Sequence, residues 1–289
     1  MKIATEFPYL AQHYWLLFDD RLNEDRERAT SALAYQDSFI RWLPEVNAKQ
    51  TLYSDHSAFG VIHWYPYAYP VVLLGTRDAR LPEVTAGIRY LEEQGYQVVL
   101  RPHGGLAVVC DPGVINVSLV SDNQHYPLSI DEAYEQMVAW ISQALAPLGL
   151  EVESYEIPDS YCPGKFDLVL NGKKIGGIAQ RRFKTGVTTA AYLSVNGSQD
   201  ERSELIRTFY EISQADESYP AVRAEVMTTI EEELGKPFRV DDLYELLINT
   251  VHNYSITEQR TFVDFFLSQH YGKAVERLDK RRNDLRAEL

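Results

Sequence analysis

Cysteine is nearly absent from this chain. Its 289 residues hold two, Cys110 and Cys162, too few for a disulfide framework. Positive charge is also short. Lys and Arg number 28 against 42 Asp and Glu, a net charge of −14, which argues against general nucleic-acid binding because phosphate contacts need a basic surface. No apolar stretch approaches the roughly 18 uncharged residues that a membrane span needs. The opening "MKIATEFPYLAQHYWLLFDD" lacks a long apolar run and a small-residue cleavage site, so no export signal is read, and a cytoplasmic protein with two free thiols is expected. There is no GxxxxGK[ST], HExxH or paired CxxC, which leaves a P-loop nucleotide site and a metal site unsupported. Internal repeats, low-complexity tracts and linkers are missing too.

What remains is ordinary for a soluble globular chain, at 45% hydrophobic and 24% charged residues. The length suits one large domain or two small ones. Residues 24–43 read as an amphipathic helix stopping before Pro44. "AFGVIHWYPYAYPVVLLGT" reads as two strands around a turn at Pro66–Tyr67. "LPEVTAGIRYLEEQGY" is a helix with Pro82 near its start and Gly95 just past its end. "QVVLR", "GLAVVC" and "VINVSLV" are short strands. "SIDEAYEQMVAWISQALAPLG" is a helix capped by Ser129, with Glu132 three residues on. "EVESYEI", the stretch 160–182 and "GVTTAAYLSV" are β-like, and the chain after Asp200 is mostly helical. Strands joined by short turns and mixed with helices predict an α+β domain with a largely antiparallel or mixed sheet. One domain over 1–289 is expected, with its core at about 25–215 and a helical extension at 216–289.

The stretch "SYCPGKFDLVLNGKKIGGIAQRR" concentrates the chemistry. Cys162 stands before a Pro-Gly turn, where a ligand can reach a thiol. An isolated cysteine is more often a small apolar filler, and Cys110, ending the run "LAVVC", reads as that. After Cys162, Asn171-Gly172 is the preferred pair for a two-residue hairpin turn. Residues 162–184 carry six cations against the single acid Asp167, a basic island in an acidic chain. It could activate the thiol or dock an acidic partner. Gly176-Gly177 inside a strand marks a bulge or a close approach of backbone to ligand. Gly104-Gly105, between two strands, would also let backbone pass close to a bound molecule. His103 beside that pair is a proton-transfer candidate or a polar turn residue.

These residues resemble the biotin/lipoate protein ligase superfamily. The stretch "VVLLGTRDARLPEVTAGIRYLEEQGYQVVLRPHGGLAVVCDPGVINVSLV" is similar to its glycine-pair motif, with Arg101 ahead of the pair. "NGKKIGGIAQRR" is similar to its lysine motif, which makes Lys174, not Lys173, the matching lysine. "SYCPG…DL…GKK…GI.QRR" and "LG…D.RLP" resemble the lipoyl amidotransferase branch of Gram-positive bacteria. The resemblance covers roughly residues 60–250. One departure is His103, where many relatives have Ser.

The resemblance implies an α/β sheet around a tunnel for a C8 chain, and acyl transfer without a nucleotide or other cofactor. An octanoyl group would leave the lysine of the glycine-cleavage H protein, form a thioester, and pass to a lysine on the lipoyl domain of a 2-oxoacid dehydrogenase E2 subunit. An amide is a poor electrophile, so a thiolate nucleophile suits the step. Cys162 would be that nucleophile, and Lys174 would take the thiol proton and return it to the departing amine. Backbone N–H groups near Gly176 and Gly177, or Lys174, would hold the oxyanion. Arg101, His103, Gly104 and Gly105 complete the expected substrate contacts. Val72, Leu73, Leu106 and Val108 are tunnel candidates by strand position. An ATP-dependent lipoate or biotin ligase, an acyl-carrier-protein-dependent octanoyltransferase and a non-catalytic acyl- or carrier-binding module stay open as alternatives.

Overall fold

The structure, a computed structural model, describes residues 7–49 and 56–287. Residues 1–6 of the opening stretch and the last two of the expected C-terminal helix therefore lie outside the described residues. In chain order the elements are α1 (Pro8–Gln12), β1 (His13–Asp19), α2 (Ser31–Lys49), β2 (Ala58–Trp64), β3 (Val71–Leu74), α3 (Val84–Glu93), β4 (Gln97–Leu100), β5 (Val108–Cys110), β6 (Val114–Asp122), α4 (Ile130–Leu145), β7 (Glu153–Ser154), β8 (Leu168–Leu170), β9 (Lys173–Phe183), β10 (Gly186–Ser194), α5 (Gln199–Ile212), α6 (Ile230–Leu234), α7 (Val240–His252), β11 (Thr257–Gln259) and α8 (Phe265–Ala287).

The strands form two sheets. The larger runs β11-β1-β2-β6-β10-β9-β8-β7, and the smaller is β4-β3-β5. In the larger sheet β1 is parallel to both β2 and β11, and the remaining pairs are antiparallel. This is the expected α+β class with a mixed, largely antiparallel sheet and flanking helices. One apolar core lies between the large sheet and α4 and α7, where the Trp140 indole N–H donates to Leu247 O at 3.1 Å. A second joins the small sheet to α3 and α5. A third packs α2 on β1 and β2, with Phe262 and Leu267 against it.

Local expectations hold where caps and turns decide. Ser129 and Glu132 close a reciprocal capping box at the start of α4. Gly95 follows α3 with φ at 87°. Asn171 and Gly172 both have positive φ, 49° and 79°, the backbone of a tight type I′ hairpin turn.

Three expectations need correction. Helix α2 begins at Ser31, not near residue 24, because Asn23 engages Asp20 Oδ1 and Ser31 Oγ, each at 3.0 Å, and holds the chain in turns. The helix also runs through Pro44. Proline leaves the Ile40 carbonyl without its i+4 donor, and that oxygen lies against Gly186, where a Cβ would sit 2.0 Å from it. β2 and β3 are not neighbours around a turn; they belong to different sheets. The stretch after residue 216 is mostly helical, as expected, and adds one short strand, β11, which joins the large sheet beside β1.

Candidate active site

The hairpin β8–β9 positions the lysine and the loop before it positions the thiol. Cys162 lies in the loop between β7 and β8 with φ at 51°, a left-handed conformation uncommon for a residue with a side chain. Lys174, the second residue of β9, is buried under this loop. Its Nζ donates to Cys162 O at 2.7 Å, Tyr161 O at 3.1 Å and Ser160 Oγ at 3.2 Å. Asp167 completes the set, with its Oδ1 2.9 Å from Nζ. The lysine thus meets the peptide of the cysteine, and the buried carboxylate balances its charge. Burial pushes the Asp167 carboxyl above its ordinary range, while Lys174 and the Ile157 N–H pull it back.

The thiol faces the other way, toward the loop after β4. Cys162 Sγ accepts from the Leu106 N–H at 3.2 Å and from Arg101 Nη2 at 3.3 Å. The same Arg101 nitrogen donates to Leu106 O at 2.7 Å, so one guanidinium ties loop and sulfur together. Burial works against the Arg101 charge, but the adjacent Cys162 and Asp78 outweigh it and leave its pKa raised. Only glycine fits at 105. Its φ is 97°, and a Cβ there would lie 2.6 Å from Arg101 Nη2 and 2.9 Å from Cys162 Sγ. Gly75 serves the same loop from below, since a Cβ there would lie 1.8 Å from Gly105 O. Asp78 fixes that approach by accepting from the Gly75 N–H at 2.7 Å and the Tyr210 hydroxyl at 3.1 Å.

A cavity of about 410 Å³ opens beside the sulfur, lined from both sheets and from α2. Its floor is a face of β9 and β10 where Ala179 stands opposite Ala190 and Gly177 opposite Tyr192. The row continues to β6, where Tyr192 faces Asn116. Small residues at 177, 179 and 190 leave the space that larger ones would fill.

Cys162, Arg101, His103, Gly104, Gly105 and Gly177 all line this cavity, whereas Lys174 and Gly176 lie outside its wall. Gly176 answers a packing need, because a Cβ there would lie 2.2 Å from Tyr192 O, beside a register shift between β8 and β9. Gly104 has open space around the position of a Cβ. His103 is buried, with Nε2 unpaired. Burial, then Arg101 and Arg181, lower its pKa to about 3, so it is neutral at physiological pH and a weak base. Of the tunnel candidates, Leu73 and Val108 line the cavity and Val72 and Leu106 do not.

The basic island does not persist in three dimensions. Lys174 is interior, Arg181 pairs with Asp37 at 2.5 Å, and Lys165 pairs with Asp131 at 2.6 Å. Arg182 donates to Leu128 O at 2.9 Å and Ser129 O at 2.6 Å. A strand alternates its side chains between two faces, which scatters charges that are adjacent in sequence. Two parts of the site escaped the sequence reading. Asp167 was visible as the one acid among six cations. The Leu106 N–H carried no side-chain signal. Among the described residues no cluster of His, Cys, Asp and Glu could hold a metal ion, and no helix is long and apolar enough to cross a membrane.

Comparison with known proteins places this architecture. Residues 29–252 match the family model of the lipoyl protein ligase A/B catalytic domain. An octanoyl-[GcvH]:protein N-octanoyltransferase of Geobacillus kaustophilus is 43% identical over 187 residues, which are 63% of this chain and 66% of that protein, just under two thirds of its length. One of the same description from Lysinibacillus sphaericus is 33% identical over 94% of this chain and 98% of its own. A crystal structure of lipoate-protein ligase A bound with ATP shares the fold at a TM-score of 0.64 and 19% identity, over 91% of this chain and 93% of that one. The chain belongs to the lipoyl protein ligase A/B catalytic-domain family.

Proposed function

We propose that the chain is an N-octanoyltransferase of protein lipoylation. It takes an octanoyl group from the lysine of the glycine-cleavage H protein, holds it as a thioester on Cys162, and passes it to a lysine on the lipoyl domain of an E2 subunit. One observation carries this reading: a thiol at the wall of a cavity of about 410 Å³, met by a guanidinium and a backbone N–H, with a buried lysine one peptide away.

The chemistry follows from that placement. Sulfur attacks the amide carbonyl carbon, a C–S bond forms, and the C–N bond to the carrier lysine breaks. The thiol proton ends on the departing amine. Lys174, whose Nζ donates to Cys162 O at 2.7 Å, is the group to relay it: it gives one proton to the departing amine and takes the thiol proton in its place, so protons and charge balance. The donors now on Sγ, the Leu106 N–H and Arg101, are placed to donate to the oxyanion, two bonds from sulfur, in the tetrahedral intermediate that forms as sulfur attacks. In the second half the acceptor lysine attacks the thioester, the C–S bond breaks, and its surplus proton returns through Lys174 to the thiolate. One lysine amide replaces another, so the exchange is nearly isoenergetic and calls for no ATP.

The test is transfer from octanoylated H protein to a lipoyl domain in a nucleotide-free mixture. Octanoylated acceptor is expected. Acceptor modification only on adding ATP, with free octanoate serving as donor, would move the chain to the ligases instead.

A further inference from the structure

Although the fold disperses the basic island of residues 162–184, it assembles a different basic surface from three segments far apart in the chain. A groove of about 480 Å³ lies between α2, the β9–β10 turn and α8. Ile40, Pro44 and Phe183 give it apolar surface. Arg41, Lys49, Lys184, Lys273 and Arg277 line it as well, and Glu45 is the only acid among the described residues that do. Glu45 Oε1 is already 3.4 Å from His270 Nε2. Arg41 and Arg277 share one buried carboxylate, Asp37, with Arg181, so one negative charge answers three guanidinium groups. Lys49, Lys184 and Lys273 are exposed, and no ion pair among the described residues uses any of them.

The groove shares a strand with the active site. β8 pairs with β9 only over residues 173–176, and over residues 177–183 the strand is paired on its β10 side alone among the described strands. That free edge runs from the acyl cavity, lined by Gly177, Ala179 and Gln180, to the groove, lined by Phe183 and Lys184. At about 3.3 Å per residue, Phe183 is roughly 20 Å along β9 from Gly177 and roughly 10 Å from Gln180. A carrier domain of about 100 residues, with a radius of gyration of about 13 Å, covers that span.

Charge elsewhere on the chain sets what fits. The first turns of α5, α6 and α7 each carry two or three acids, in a chain of net charge −14. A partner with an acidic face is repelled from those helices and drawn to the groove, and the field then fixes its orientation. A second copy seated through its own acidic helices would make a head-to-tail contact, which joins copies in rings or filaments rather than a symmetric pair. We propose that the groove docks an acidic face of the carrier protein that delivers the acyl group, laying that protein along the free edge of β9 with its acyl-lysine directed at Cys162. The inference rests on the acyl-transfer reading above.

The experiment compares two acyl donors on the full chain: octanoylated H protein, and p-nitrophenyl octanoate, a small ester that needs no docking surface. Lys184→Glu/Lys273→Glu reverses two exposed charges, and Lys49→Glu/Lys273→Glu does so without touching the β9–β10 turn. With the H protein as donor, KM should rise about tenfold or more in each variant while kcat stays within about twofold. Acylation by the ester should be unchanged. Raising salt from about 0.05 M to about 0.3 M should slow the native chain with the H protein and leave the variants nearly insensitive. An unchanged KM in variants that keep a native melting transition, or an equal loss with the ester, would overturn the docking surface while leaving acyl transfer intact. So would a native oligomer that sedimentation shows to separate in the variants, which would give the groove to a second copy. No acyl-enzyme from either donor would overturn the acyl-transfer reading, and the docking surface with it.

Discussion

The two cysteines of this chain make opposite uses of the same thiol. Cys110 ends β5 in the core between the small sheet, α3 and α5. It is fully buried, its one hydrogen bond runs to Asn116, and burial pushes its pKa up to about 12. Cys162 sits in a loop, partly exposed at a cavity, with a left-handed backbone held by Lys174 and a sulfur held by Arg101 and Leu106. Burial among apolar neighbours makes a thiol a packing group, whereas exposure beside hydrogen-bond donors leaves one open to a ligand.

The largest effect expected from breaking that contrast is at Cys162 itself. Cys162→Ala should abolish both the acyl adduct and transfer, by more than a thousandfold in rate, whereas Cys110→Ala should leave transfer within about twofold and cost about 1 kcal/mol of stability. Parallel single-turnover assays and denaturant melts measure both. Next comes the lysine beneath the loop. Lys174→Met strands the Asp167 carboxylate in the interior and should destabilise the fold by about 3–5 kcal/mol. Its effect on transfer should be partly restored in Lys174→Met/Asp167→Leu for stability, but not for rate. Recovery of both together would make Lys174 a structural residue only.

A smaller effect tests the platform under the glycine loop. Burial raises the Asp78 pKa to about 6, offset by the Gly75 N–H and the Tyr210 hydroxyl. A carboxyl whose folded pKa lies above its unfolded value near 4 favours folding below that value. The contribution is lost as pH rises through about 6. Asp78→Asn keeps an acceptor for Gly75 and removes the charge. Relative to the native chain, it should gain up to about 3 kcal/mol between pH 4 and pH 8. Thermal melts across that range should show the variant's advantage growing with pH; an advantage that shrinks would contradict the assignment. Smallest in consequence, a thiol reagent at neutral pH should label Cys162 in the folded chain and reach Cys110 only on unfolding.

How much of this was legible beforehand depended on how local the cause was. The Asn171-Gly172 turn, the Ser129 capping box and the glycine after α3 were readable because neighbouring residues determine each. Cys162 was readable as a candidate from its Pro-Gly turn, and Lys174 from the resemblance of "NGKKIGGIAQRR" to the family's lysine motif, the hairpin turn saying only that a lysine returns toward the loop. Strand β1 was missed; its apolar run "HYWLLFD" was the available signal, but its pairing with β2 and β11 is set by residues far along the chain. The split of β2 and β3 between two sheets is also long-range. So is the passage of α2 through Pro44, which depends on Gly186 lying against the freed carbonyl. Sequence adjacency misled for the basic island, because side-chain alternation and separate acidic partners disperse it. The backbone donor to the sulfur was out of reach in principle, since the Leu106 N–H carries no side-chain signal and only folding aims it at Cys162 Sγ.

The central claim is that Cys162 carries the acyl group between two lysines. Intact-protein mass spectrometry after mixing the chain with octanoylated H protein, without ATP, tests it most directly. The account predicts one octanoyl adduct, removed by hydroxylamine and mapped to Cys162. An adduct that survives hydroxylamine, or one retained at full strength in Cys162→Ala, would contradict it.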